Sequence, residues 1–257
     1  MRQSHELDRS AKGFIMSKTF EQLGIPFPLF EASTEDACEF AGRKECFLCG
    51  KQNQYCFRLE IGCDIMLHCT HCDTLNGLDA DDRKSVSCRA CQTMIAFPEI
   101  SDEEITVCYG CLRLGKAAIT KDTELGMVSW EKAFEGITNG IPGLNRPDFE
   151  MVSLKDEWVG VRLPQEMMFE LLRTPTYSTM QGDRWLFCCQ IPMIYVGEWS
   201  RDEFSRRAPD GNGQKLFNQI VEDVMPGLWE DELHDVTGVY VFRCSVCNIF
   251  KAHWDLA

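Results

Sequence analysis

Histidine is scarce in this sequence, five in 257 residues, and none stands in a pattern that catalysis uses. His5 lies in a polar N-terminal stretch, His68 and His71 flank cysteines, and His234 and His253 have no recognisable partner. HExxH, GxSxG and the deaminase pairing of HxE with PCxxC are missing, which removes the commonest hydrolytic and deaminating constellations. Gly110, Gly115 and Lys116 fit GxxxxGK, but Ala117 stands where a phosphate loop needs a hydroxyl for Mg²⁺. The expectation is a protein that is not an enzyme.

Long apolar runs are also missing. Nothing approaches the roughly 18 apolar residues of a membrane span, and the start, MRQSHELDRSAKGF, has no apolar signal core. A cytoplasmic location with no membrane partner is expected. Basic residues are in deficit, 26 against 40 acidic, giving a net charge of −14. Phosphate backbones need a basic surface, so nucleic acid is not expected as a direct partner. The one local basic group, Arg83, Lys84 and Arg89, is offset by Asp79, Asp81 and Asp82. A zinc-ribbon adaptor in transcription or RNA handling is therefore the weaker alternative, and a basic protein is the complementary partner.

Against these absences stand 15 cysteines. Ten form CxxC pairs: Cys46/Cys49, Cys69/Cys72, Cys88/Cys91, Cys108/Cys111 and Cys244/Cys247. Two thiols three positions apart can grip a tetrahedral ion from one tight turn, and two such turns close a structural zinc site. In a reducing compartment this reading precedes disulfides. Between Cys72 and Cys88 lie 15 residues, a zinc-ribbon spacing. Pairing in sequence order, first with second and third with fourth, leaves spacers of 19 and 16 residues and is also acceptable. With four thiols at hand, His68 and His71 are bystanders. Cys56 and Cys63 read as packing residues and Cys38 as a free thiol. A redox- or metal-sensing role for the CxxC pairs is a further alternative.

Along the chain, residues 1–19 read as a polar tail and Pro26 and Pro28 impose an extended segment. Tyr55, Phe57, Leu59 and Ile61 alternate as in a strand. Helices are expected over 128–137, over 163–173 with Pro164 at the first position, and over 213–225. In the last, Leu216, Phe217, Ile220, Val221, Val224 and Met225 form the inward stripe, leaving Glu222 and Asp223 exposed. Glu230, Asp231, Glu232 and Asp235 then cluster around Trp229. Together with Glu222 and Asp223 they are the candidate partner-binding surface, with Trp229 as its aromatic anchor.

RTPTYSTMQGDRWLFCC (Arg173 to Cys189) resembles a stretch of the CbrC family of bacterial proteins, in which an RTP element is followed by a Trp and a His-Cys pair. FRCSVCNIFKAHWD (Phe242 to Asp255) resembles that family's C-terminal knuckle, and ECFLCG and VCYGCLRLGKAA resemble its first two CxxC elements. The likeness covers about residues 24–51 and 107–257. The family pattern has three CxxC pairs and this chain five, so the segment 56–105 looks like an insertion. The resemblance implies nested sites: Cys69, Cys72, Cys88 and Cys91 inside, Cys46, Cys49, Cys108 and Cys111 outside. It also places Cys188 and Cys189 at the family's His-Cys pair, an exchange between two zinc ligands, and implies a third site of Cys188, Cys189, Cys244 and Cys247. Neighbouring residues point to opposite faces of a strand, so both can reach one ion only if the backbone turns there. Two or three structural Zn²⁺ ions are expected, three taking the net charge to about −20.

The implied fold is α+β: a zinc-ribbon region over 20–120, with two nested four-cysteine sites and the inserted ribbon at 56–105, attached to a small acidic α+β body over 121–257 that ends in a zinc knuckle. The family is named for a protein linked to colicin tolerance. It implies an immunity or tolerance protein of bacterial competition, a toxin inhibitor whose partner is a protein toxin with a basic surface, of the nuclease type.

Overall fold

The computed structural model describes residues 18–59, 62–82, 84–98, 104–225, 227–229 and 237–256. Among these, six small antiparallel sheets and five short α-helices make a mixed α+β fold carrying three four-cysteine clusters. No helix among the described residues is long and apolar enough to cross a membrane.

Two of the sheets explain how the nesting is built. Strands Phe40–Lys44, Gln54–Arg58 and Thr106–Cys108 form one sheet, so the chain leaves at Arg58 and returns beside it at Thr106. The excursion between them begins with a second sheet, in which Cys63–His68 pairs on one side with Leu75–Asp79 and on the other with Ala117–Ile119. A short hairpin, Val86–Ser87 with Met94–Ile95, completes it. Because Ala117–Ile119 lies outside the excursion, the ribbon is stitched to the rest of the chain by backbone hydrogen bonds. Its apolar side joins the same core: Leu59, Ile65, Leu78 and Ile95 belong to one buried cluster with Leu125, Val161, Leu171 and Phe242. The boundary drawn at residue 120 thus crosses a continuous core.

The C-terminal half is organised by the sheet of Ile194–Glu198, Thr237–Arg243 and Phe250–Leu256. Its central strand is rich in β-branched and aromatic residues, which suit a strand buried on both faces. Alternation sends Tyr240 and Phe242 into the main core with Tyr177, Trp185 and Tyr195, and Val239 and Val241 into a second core with Trp199, Phe204 and Phe217. The second core is closed by helices Arg201–Arg207 and Gly213–Ile220, whose Ser200 and Asn212 cap the amides of Glu203 and Lys215.

Three helix expectations need adjustment. The first expected helix is narrower, Trp130–Glu135, opened by the Ser129 cap and closed by Gly136 at φ 69°. Pro164 is the N-cap of Gln165–Leu172 and not its first residue; Met168, Leu171 and Leu172 are buried and Met167 is half-buried. The helix expected over 213–225 stops at Ile220. Val221 bridges to Ala252, and the amide of Glu222 donates to the Ala252 carbonyl at 2.9 Å. The edge of the neighbouring sheet takes the donor that would have continued the helix, and Val224 and Met225 are left partly exposed.

Candidate metal centres

Four of the five CxxC elements do not merely share a spacing; they share a backbone. After Cys46, Cys69, Cys88 and Cys244 the chain folds back so that each cysteine's amide donates to the carbonyl five residues on (Lys51, Thr74, Thr93, Ile249) at 2.8–3.0 Å. Each cysteine's carbonyl in turn accepts from the amide four residues on, at 2.8–3.0 Å. That fourth residue, Gly50, Asp73, Gln92 or Asn248, is left-handed, with φ between 57° and 66°. Such a turn directs both thiols to its concave side and aims peptide N–H groups at them: Ala90 N–H lies 3.5 Å from Cys88 Sγ and Val246 N–H 3.4 Å from Cys244 Sγ. Backbone N–H donors favour the thiolate over the thiol. The Cys91 amide, followed by that of Ala90, brings the Cys88 thiol down to about 6. The Lys51 amide does the same for Cys49, to about 7. The fifth element differs: Cys108 is the N-cap of helix Tyr109–Arg113, and Cys111 lies within its first turn.

These elements assemble into three groups in which every sulfur lies within 4.8 Å of the others. Outside, Cys46 faces Cys111 at 3.8 Å and Cys49 faces Cys108 at 3.9 Å. Inside, Cys69 faces Cys91 at 3.6 Å and Cys72 faces Cys88 at 3.5 Å. In the third group Cys188 lies 3.8 Å from Cys189 and 3.6 Å from Cys247. A tetrahedron with metal–sulfur bonds of about 2.3 Å has edges of about 3.8 Å, so the donor sets fit Zn²⁺ in size, number and chemistry. The first two groups are nested, one knuckle and a helix start enclosing a ribbon of two knuckles; the pairing in sequence order does not occur.

The third group depends on a turn. Cys189 and Gln190 both have positive φ, 52° and 61°, and link Phe187–Cys188 to Ile191–Pro192 as a two-residue hairpin. That turn normally selects Asn and Gly. Here it swings the Cys189 thiol to the side of Cys188, the condition under which neighbouring cysteines can share one ion. The three groups differ in exposure. In the outer one Cys46, Cys108 and Cys111 are buried, whereas in the third only Cys244 is, and Cys189 and Cys247 are exposed.

Around the inner group the structure adds residues that the spacing alone did not mark. Thr74 Oγ1 lies 3.2 Å from Cys72 Sγ and Thr93 Oγ1 3.3 Å from Cys91 Sγ. The signal was present as a repeated CxxCxT in CTHCDT and CRACQT. Buried Asn76 reaches Cys88 Sγ with its amide at 3.7 Å, and its Oδ1 accepts from Arg89 N–H at 3.0 Å. His68 is not among the ligands; its Nδ1 lies 2.9 Å from Asp73 Oδ1 on the surface. Cys56 and Cys63 are buried and lie outside all three groups.

The candidate partner surface is only partly described. Glu222 pairs with Arg184 at 3.4 Å, and the Asp223 carbonyl accepts from Trp254 Nε1 at 3.3 Å. Trp229 is half-buried, its ring on Phe217 and Phe204 at 5.3 and 6.0 Å, so it is a member of the second core. Glu230, Asp231, Glu232 and Asp235, like His234, His5 and Arg83, lie outside the described residues.

Residues 71–256 match a family model described as "Uncharacterised protein family (UPF0167)". The range opens at His71, within the ribbon, and takes in the whole third group. The chain is similar to UPF0167 protein PA1536 of Pseudomonas aeruginosa, with 29% identity over 93 residues, 33% of this chain and 47% of the relative. The chain thus spans about half the length of the curated relative it matches. No solved structure matches.

Proposed function

The chain belongs to the uncharacterised protein family UPF0167, and from that premise we propose a non-enzymatic binding protein of the cytoplasm, its fold held by three structural Zn²⁺ ions, whose partner is a basic protein. The observation that carries this reading is the closure of the metal groups. Each offers four thiols at tetrahedral spacing, and a four-thiolate shell leaves no position for a substrate or an activated water. The chemistry such an ion supplies is cross-linking: it ties segments 62 residues apart, Cys46 and Cys108, as firmly as a disulfide would, in a compartment where disulfides do not last. Net charge supports the nature of the partner, because −14 before metal binding repels nucleic acid and attracts basic protein surfaces.

The finer identity of the partner, a nuclease-type toxin or bacteriocin whose basic groove the protein blocks, rests on the motif resemblance to a colicin-tolerance family. Co-expression with a nuclease-type toxin domain encoded beside this chain tests it: co-purification and restored growth are expected. Lysine substitutions at Glu222, Asp223 and the 230–235 cluster should weaken both. Unchanged protection would remove that surface from the interface, and failure to bind would overturn the toxin reading.

A second reading, metal or redox sensing, is favoured by the third group alone. Its adjacent cysteines, its exposure and its left-handed Cys189–Gln190 turn make it the most accessible of the three. Under that reading, zinc loss on mild oxidation would be reversible and would change partner binding; under the first it would simply loosen the fold.

A further inference from the structure

Between the inner metal ribbon and helix Trp130–Glu135 lies a cavity of about 340 Å³ that none of the metal groups uses. One wall belongs to the ribbon: Asn76, Val86, Ser87 and Arg89. The other belongs to the helix, where Trp130 and Phe134 stack edge to face at 4.6 Å with Glu131 beside them. The walls approach closely because residue 77 is glycine; a Cβ there would stand 2.8 Å from the Trp130 ring. The ribbon wall is held by the metal group itself, since Asn76 bonds both the Cys88 sulfur and the Arg89 amide.

Two features define what the cavity accepts. The guanidinium of Arg89 sits 4.2 Å from the centroid of the Phe134 ring, so the aromatic floor already takes a guanidinium, donated by the chain itself from an exposed residue. Glu131 lines the same cavity, and behind the lining is a further excess of negative charge, the Asp64 carboxyl carbon lying 3.4 Å from where a Cβ on Gly77 would stand. Asp64 and Asp79 face each other directly across neighbouring strands, where like charges repel. Burial, then the charges of Asp79 and Glu131, push the Asp64 carboxyl up to about 6. Glu135 is taken by Lys132 at 2.6 Å, whereas Glu131 has no ion pair among the described residues.

We propose that this cavity is a binding site for an arginine side chain presented by a basic protein, which displaces Arg89 from Phe134 and places its charge beside Glu131 and Asp64. The volume, at the small end of the range of ligand cavities, has room for one such side chain. The site shares no residue with the 222–235 stretch, stands whether or not the partner is a toxin, and couples recognition to metal, because the wall that carries Arg89 is a zinc knuckle.

The test uses zinc-loaded full-length protein titrated with N-acetyl-arginine amide, followed by amide shifts of Ser87, Arg89 and Glu131 in two-dimensional NMR. Weak saturable binding is expected. Arg89→Ala should tighten it about two- to fivefold by removing the internal competitor, and Glu131→Gln should weaken it by a similar factor. Both substitutions are at exposed positions, and zinc content with an unchanged amide spectrum elsewhere reports their folding. The proposal is overturned if neither wild type nor Arg89→Ala shows saturable shifts, if N-acetyl-norleucine amide produces the same shifts, or if Glu131→Gln leaves the affinity unchanged. None of these outcomes depends on toxin protection, so the two readings fail separately.

Discussion

The hydroxyl of Tyr177 lies 2.7 Å from Nε2 of His253, across 76 residues of sequence and inside the main core. The same hydroxyl accepts from the Arg184 amide at 2.7 Å. Two residues along the same strand, Asp255 accepts from the amides of Met180 and Gln181 at 2.9 and 3.1 Å and from the Tyr240 hydroxyl at 2.9 Å. The segment from 177 to 184 is thereby fastened to the C-terminal strand, just before the chain turns into the Cys188–Cys189 hairpin. Packing of the core and placement of the third metal group are one construction.

That contact makes stability depend on pH in a defined direction. Burial, then the charge of Arg184, hold the His253 imidazole down at about 4, against 6.5 in an exposed setting. Between those values the unfolded chain binds more protons than the folded one, so this stability is complete above pH 6.5 and is lost as pH falls towards 4. The loss is about 2 kcal/mol by pH 5. In His253→Gln the glutamine can still bond Tyr177 but cannot ionise. Thermal melts of zinc-saturated protein at pH 7.5 and 5 should show a smaller drop for the variant. Thiolate protonation affects both chains alike, so equal drops would clear His253.

Lys121 is fully buried, its ammonium donating to Thr176 Oγ1 at 2.9 Å and to the Ile119 carbonyl at 3.4 Å. Glu39 accepts from the Thr176 amide at 2.9 Å, and Asp183 keeps one buried oxygen without a hydrogen bond. Burial pushes Lys121 down and Asp183 up to about 7, while their mutual attraction opposes both shifts. Lys121→Met strands two carboxylates and should cost about 3–5 kcal/mol in urea unfolding. Adding Asp183→Asn should recover part of it; a recovery of zero would mean that Asp183 does not share the charge of Lys121.

The threonine that follows each inner CxxC offers its hydroxyl to a sulfur that will be a thiolate once metal binds. Thr74→Val and Thr93→Val preserve shape and remove that donor. Competition against a chelator should show metal at the inner group weakened about tenfold in the double variant. The outer group, which has no such threonine, should be unaffected.

How much of this was legible differs from residue to residue for physical reasons. A CxxC is a local device, and its turn needs only six residues, so the five pairs were readable at sight. Which pair meets which is a tertiary fact: the spacers allow both orders, and nesting is decided where Gln54–Arg58 finds Thr106–Cys108. The end of the helix at Ile220 was hidden because the apolar period runs on to Met225, and only the Ala252 carbonyl, from a distant strand, stops it. Nothing local announces that Lys121 and Glu39 are brought together inside the fold and that their charges answer each other. The cavity at Phe134 was invisible for the same reason, since its two walls come from separate stretches of the chain.

The Cys189 turn gives the sharpest test of the third metal group. A left-handed cysteine followed by a left-handed glutamine is an unfavourable hairpin turn in the absence of a bond that holds it, and four thiols around one ion supply such a bond. Cys189→Ser removes one donor from an exposed position without opening the core. Metal analysis of protein from zinc-supplemented cells should fall from three ions per chain to two, with the melting temperature lowered modestly. Cys111→Ser, at a buried outer position, should instead unfold the sheet of Phe40–Lys44, Gln54–Arg58 and Thr106–Cys108 that encloses the ribbon. Cys189→Gly separates the roles, because glycine relieves the backbone but cannot ligate: if the turn were only structural, it would retain the full metal count. Two ions in the wild-type chain, or three in Cys189→Ser, would show that the adjacent cysteines do not share a metal.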